Sequence, residues 1–172
     1  EHLPVRIGGD AALLQGFAKT ILSQGGADLD FISANTLGFE DWKKHIESTD
    51  WEKIVEQSGI SRDRIEKTGN AIAKSERMIV CWAMGLTQHE NSVAVIQEVS
   101  NLLLAGGHFG KPGAGACPVR GHSNVQGDRT VGINHHPTED FISSCENETG
   151  INMPRNKGYD VVEFIRAAFG GG

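Results

Sequence analysis

The sequence predicts an α/β fold built on a parallel sheet, and three observations carry that expectation. A short β-favouring run, Val5-Arg6-Ile7, enters a glycine turn and then a helix. A second run, Arg77 to Trp82, is nearly continuous in apolar residues and leads into another helix. The stretch between them is helical and repeatedly punctuated. Strand-to-helix units repeated along a chain fold into a parallel sheet with right-handed crossovers. The 172 residues, with 38% hydrophobic and 22% charged side chains, fit a single domain over 1–172.

The elements follow in order. Gly8-Gly9-Asp10 closes the first run, and Asp10 is placed to cap a helix whose Leu13, Leu14, Phe17, Ala18 and Ile21 recur at helical spacing. Gly25-Gly26 should end it. Such a strand, turn and helix N-terminus presents backbone N–H groups to a phosphate, although a plain β-to-α turn has the same sequence. Residues 28–75 read as a helical insertion with starts at Asp28, Glu40, Asp50 and Ser61, and with Trp42, Trp51 and Ile54 in the core. Arg77 to Trp82 should be a strand covered on both faces, which makes Cys81 a buried, inert thiol. A helix from Asn91 to Ala105 follows, with Val93, Ile96, Val99, Leu102 and Leu103 on one face. Two more helices are expected near the C-terminus, from Thr138 to Cys145 and from Asp160 to Phe169.

Composition excludes several classes. A net charge of −6 argues against general nucleic-acid binding. No apolar run reaches the length of a membrane span and no secretory leader is evident, so the expected compartment is the cytoplasm. Cys81, Cys117 and Cys145 are odd in number and far apart, which indicates neither a disulfide framework nor a Cys-x-x-Cys metal site.

The richest stretch is Gly106 to Gly132, which holds eight of the 22 glycines and sets Arg120, His122, Asn124 and Gln126 at alternate positions. It reads as a long ordered loop without helix or strand, the kind that is usually functional. Lys111, Arg120 and Arg129 outnumber its lone acid, Asp128, so an anionic ligand is expected. In open α/β sheets, ligands bind beyond the carboxyl ends of strands, where Gly8 to Asp10 and Met84 to His89 would also lie.

The run WAMGLTQHENSVAVIQEVSNLLLAGGHFGKPGAGACPVRGHSNVQGDRTVG resembles the molybdopterin-dependent oxidoreductases of the dimethyl sulfoxide reductase superfamily, in particular formate dehydrogenase-like catalytic (alpha) subunits. The opening VRIGGDAALLQGFAKTIL and the middle DFISANTLGFEDW resemble the same subunits in the same order. The resemblance implies a Rossmann-like, dinucleotide-binding-like sheet that grips a bis-molybdopterin guanine dinucleotide cofactor with molybdenum. It carries Met84, Gly85 and Gln88 over as pterin contacts, and Gly9 and Asp10 as a cofactor-facing turn. Arg120 matches the arginine that faces the metal and orients formate. His122, where many members carry Gln, is the second catalytic candidate, and Asn124 and Gln126 match polar cofactor contacts of the same loop. A guanidinium presents a fixed fork of donors suited to a carboxylate, and side-chain amides both donate and accept as a pterin edge requires.

Members of that family are several times longer. The residues are therefore expected to be one domain of a larger catalytic subunit, inactive alone, with the remaining domains as partners and a small molecule such as formate as substrate. Iron–sulfur clusters would belong to the parent subunit, none being bound by this segment, and no metal ligand is assigned here. Three other readings compete with this one. A nicotinamide site needs Gly-x-Gly-x-x-Gly, to which Gly8-Gly9-Asp10 does not extend. A zinc site from His108, His122, His135 and His136 fits no standard spacing. A non-catalytic α/β interaction or regulatory domain is the third.

Overall fold

The computed structural model of the chain describes residues 2–133, 136–156 and 158–170. They form a mixed α/β structure, mostly helical, which divides into two compact units, Glu1–Gly121 and His122–Gly172.

The first unit begins with α1 (Asp10–Ser23), α2 (Leu29–Asn35), α3 (Phe39–Ser48), α4 (Trp51–Ser58) and α5 (Arg62–Ala73). Each start has a local cause. The Asp28 carboxylate accepts from the Phe31 amide at 2.9 Å and caps α2. Gly59, at φ 72°, ends α4 in the left-handed region that a side chain disfavours. Asp10 does not cap α1 as expected. Gly9 is the N-cap, and Asp10 is the first helical residue, where its charge complements the helix dipole. Asp50 likewise precedes α4 without a side-chain capping bond.

Apolar residues of α1 (Phe17, Ala18, Ile21) bury against Ile46 of α3, Ile54 of α4, Ile65 of α5, and Ile60 between α4 and α5. Ile46 and Ile65 are 0% exposed, and burial of each such side chain contributes ~1.5–3 kcal/mol. The close crossing of α1 and α5 depends on two glycines. A Cβ on Gly16 would lie 2.7 Å from Ile65 Cγ2, and one on Gly69 would lie 2.7 Å from Thr20 Cβ. The helices expected as an insertion thus hold much of the core. Trp42 and Trp51 pack at its margin: the Trp42 indole donates to Glu98 at 3.1 Å, and the Arg62 guanidinium sits 4.7 Å from the Trp51 ring centroid.

The rest of the first unit comprises β1 (Ile79–Trp82), the single turn α6 (Met84–Thr87), α7 (Ser92–Ala105) and β2 (Gly115–Pro118). Strands β1 and β2 pair in parallel with Ile79 opposite Gly115 and Trp82 opposite Pro118. The connection through α7 is the crossover that a parallel pair requires. Leu102 of α7 joins the helical core.

Three expectations are corrected. Val5-Arg6-Ile7 is not a strand among the described residues. The Arg6 amide donates to Ser58 O and its guanidinium to Glu56 O, while Gly9 N closes a turn onto Arg6 O. These bonds fasten the segment to the end of α4 and leave it no ladder. Strand β1 is not covered on both faces. Val80 and Trp82 are half-buried while Ile79 and Cys81 are exposed, because the described sheet has two strands with cover on one side of β1. Finally, Gly106 to Gly132 is not structureless. It contains β2 and, in the second unit, α8 (Val125–Thr130). Strand β2 exists through a tertiary partner, which periodicity within the segment cannot reveal.

The second unit contains α8, α9 (Glu139–Thr149) and α10 (Val161–Gly170), none of which has a buried residue. Thr138 Oγ1 accepts from Phe141 N at 3.3 Å and caps α9. Asp160 Oδ1 accepts from Glu163 N at 2.8 Å while Glu163 Oε2 accepts from Asp160 N at 3.1 Å, a reciprocal capping box before α10. Glu146 holds Arg155 through Nη1 at 3.0 Å and Nη2 at 2.8 Å, and also accepts from Met153 N at 2.8 Å.

Candidate functional site

A parallel pair sends both of its strands out at the same end. Beyond Trp82 the chain turns into α6, which begins with Met84 and Gly85; beyond Pro118 it runs through Val119 to Arg120 and Gly121. The Val119 amide donates to Trp82 O at 2.6 Å, so pairing persists to the point where the two segments leave the sheet. They remain together afterwards: a Cβ on Gly121 would lie 3.4 Å from Met84 Cε and 4.0 Å from its Sδ.

Around this junction the side chains are free for a ligand. Met84 is 39% exposed. A Cβ on Gly85 would meet nothing within 4 Å. Among the described residues the Gln88 amide donates only to Met84 Sδ, at 3.6 Å, which leaves its oxygen open to accept. Arg120 is exposed and makes no side-chain hydrogen bond or ion pair among the described residues. The structure therefore brings Met84, Gly85, Gln88 and Arg120 to one end of the β1–β2 pair.

Gly9 and Asp10 have other surroundings. Gly9 is buried against α4, where an added Cβ would lie 2.4 Å from Gln57 O and 2.9 Å from Ser58 Cα. That backbone approach alone demands glycine. His122, Asn124 and Gln126 belong to the second unit and are exposed. Asn124 is the N-cap of α8 but makes no side-chain capping bond, and the Gln126 carbonyl accepts from Thr130 Oγ1 at 2.8 Å.

Of the four histidines weighed for zinc, His108 is buried in the first unit, His122 and His136 lie in the second, and His135 lies outside the described residues. Among the described residues no three His, Cys, Asp or Glu side chains gather where they would hold a metal ion. His108 is 3% exposed and its Nδ1 has no hydrogen-bond partner among the described residues. Burial holds its pKa below the ordinary histidine value; Lys111 adds to the effect and Asp28 opposes it. Sequence reasoning missed this residue's burial, since a histidine after Gly106-Gly107 carries no apolar periodicity.

No family model matches the chain. Similar proteins are nonetheless plain. An uncharacterised oxidoreductase of Mycobacterium tuberculosis is 40% identical over 97% of this chain, which spans 22% of that protein. This chain resembles part of an oxidoreductase. The protein YdeP of Escherichia coli is also 40% identical, over 95% of the chain and 23% of its own length. A Staphylococcus aureus protein named a putative formate dehydrogenase is 31% identical over 95% of the chain and 18% of its own length. The chain spans about a fifth of the length of the relatives it matches. No described helix is long and apolar enough to cross a membrane.

Proposed function

We propose that this chain is the cofactor-binding part of a larger, cytoplasmic oxidoreductase that uses bis-molybdopterin guanine dinucleotide and molybdenum, similar to formate dehydrogenases. One observation supports the reading above the others. The two segments that carry the resemblance, Met84 to Gln88 and Pro118 to Gly121, leave the same end of a parallel pair and meet at Gly121 and Met84. The relative named a putative formate dehydrogenase adds to it. In the parent subunit, β1 and β2 would belong to a Rossmann-like sheet completed by other segments.

The residues present fit such a group. Open space over Gly85 admits a planar ring system, and the Gln88 amide and the Arg120 guanidinium, exposed and without an ion pair among the described residues, supply donors beside it. The cofactor, when bound, supplies the two-electron redox chemistry. The chain's own residues would bind and orient. Met84, Gly85 and Gln88 would line the pterin; Gly9 and Asp10 belong to this proposal on the sequence resemblance alone, the glycine at position 9 being required by its packing against α4. Arg120 would fix a carboxylate such as formate through its paired N–H groups. His122, Asn124 and Gln126 of the second unit belong to this proposal on the sequence resemblance alone.

The test is metal analysis of the full-length subunit together with formate-dependent reduction of a dye. Molybdenum bound by the full subunit and absent from the 172-residue chain is the expected result. A full subunit that folds and carries no molybdenum overturns the proposal.

A further inference from the structure

Two of the three cysteines of this chain face one another across the sheet. Cys81 of β1 and Cys117 of β2 are directly opposite in the parallel register. Opposed residues of a ladder point to the same face of the sheet. Both thiols are exposed. We propose that Cys81 and Cys117 form a reversible redox dithiol, closed by exchange with a low-molecular-weight disulfide of the glutathione class and opened by excess thiol.

The geometry explains why closure is both reachable and reversible. Paired strands lie ~4.7–4.9 Å apart. A disulfide needs its Cα atoms ~4.4–6.8 Å apart, but draws its Cβ atoms to ~3.5–4.5 Å. The Cα spacing is therefore right, while the Cβ atoms must move slightly inward. A bond formed against that tension is more readily reduced than a structural disulfide. A hydrogen bond to Cys117 raises the Cys81 pKa, with smaller contributions from burial and from the Cys117 charge. Either thiol can open the exchange, and both routes end in the same disulfide.

The steps balance. The Cys117 thiolate attacks one sulfur of oxidised glutathione and releases one glutathione thiolate, leaving a mixed disulfide. Cys81 loses its proton to solvent, attacks the Cys117 sulfur and expels the second glutathione. Two protein thiols are oxidised to one disulfide, and one glutathione disulfide is reduced to two thiols. Each cysteine precedes, by the same number of residues, one of the two groups at the candidate site: Cys81 lies upstream of Met84 and Cys117 upstream of Arg120. Closure would thus tie the two strands together directly below the segments that the proposed function employs. The dithiol itself does not depend on that function.

The experiment equilibrates the 172-residue chain with graded ratios of oxidised to reduced glutathione, traps the thiols, and maps the peptides by mass spectrometry. The free thiols, three in the reduced chain, should fall to one, with Cys145 remaining and Cys81 linked to Cys117. Dithiothreitol should restore all three. Cys145→Ser should still lose two thiols, whereas Cys81→Ser should stop at a glutathione adduct on Cys117. Peptide mapping of the unaltered chain decides the matter even if a serine variant fails to fold. Separate glutathione adducts on Cys81 and Cys117, or both thiols remaining free in excess oxidised glutathione, would overturn the proposal.

Discussion

Gly121 and Met84, from segments that follow different strands, lie so close that a methyl group added to Gly121 would rest 3.4 Å from Met84 Cε. That is ordinary van der Waals distance, so Gly121→Ala should be tolerated. Gly121→Leu must displace Met84, a residue exposed enough to move without disturbing the core. The chain carrying Gly121→Leu should melt within about 0.5 kcal/mol of the unaltered one, as surface changes do. In the full-length subunit the same change should reduce bound molybdenum. Full cofactor content with leucine at this position would detach the junction from the cofactor.

Gly9 and Gly85 make opposite predictions. A Cβ at Gly9 runs into the Gln57 and Ser58 backbone, which cannot turn aside. Gly9→Ala should destabilise the chain by about 1–3 kcal/mol, the usual cost of overpacking. Gly85→Ala meets nothing and should leave thermal stability unchanged, while lowering cofactor content in the full subunit. Thermal melts of the two variants separate a glycine needed for packing from one needed for a ligand.

Arg120→Lys tests the proposed substrate contact in the full-length subunit. Lysine keeps the charge and loses the planar fork. An exposed structural ion pair would hardly register the change, being worth about 0–1 kcal/mol. A substrate-orienting arginine would register it, since misplacing a reactant can cost on the order of a hundredfold in rate. Normal molybdenum content, a near-normal melting temperature and a large fall in kcat are expected. Loss of cofactor in proportion to activity would make Arg120 structural.

His108 should make the first unit sensitive to mild acid. Burial depresses its folded pKa, so the unfolded chain takes up a proton first as the pH falls. Above the unfolded value of about 6.5 both states are neutral and the residue contributes no pH dependence. Below it the unfolded state is favoured until the folded pKa is passed. The melting temperature should fall as the pH drops below about 6.5, and His108→Leu should flatten that slope. An unchanged slope in the variant would place its origin elsewhere.

Glu146 governs a lower range in the second unit. The Arg155 hydrogen bond, then that of the Met153 amide, lowers its pKa, so its stabilisation is present above the unfolded value and disappears as the pH falls through the folded one. Glu146→Gln should lower protection of the α9–Arg155 segment at pH 7 and remove its loss of protection below about pH 4.5. Amide hydrogen exchange measured across pH on both proteins provides the check.

The helices were legible because their causes are local. Asp28, Gly59 and the spacing of Leu13, Phe17 and Ile21 act within a turn or two, and the structure places α1 to α5 close to the expected limits. Strands depend on partners, and there the reading failed in both directions. Val5-Arg6-Ile7 has β-favouring residues but meets the end of α4, whereas Gly115–Pro118 has no strand pattern and pairs with β1. The candidate site shows the same division. Arg120 and Met84 were named from their motifs, but neither the contact through Gly121 nor the opposition of Cys81 and Cys117 is written in either segment alone. Register is a property of two strands.

That register also bears on how the chain acquires its structure. The pairing of Ile79 with Gly115 joins residues closer together along the chain than the contacts of Gly16 with Ile65 and of Thr20 with Gly69 that bind α1 to α5. Loop-closure entropy therefore gives the helical core no head start over the strand pair. The two are expected to form together, so mutations in α5 and in β2 should both slow folding. The junction of Gly121 and Met84 would then form along with the core.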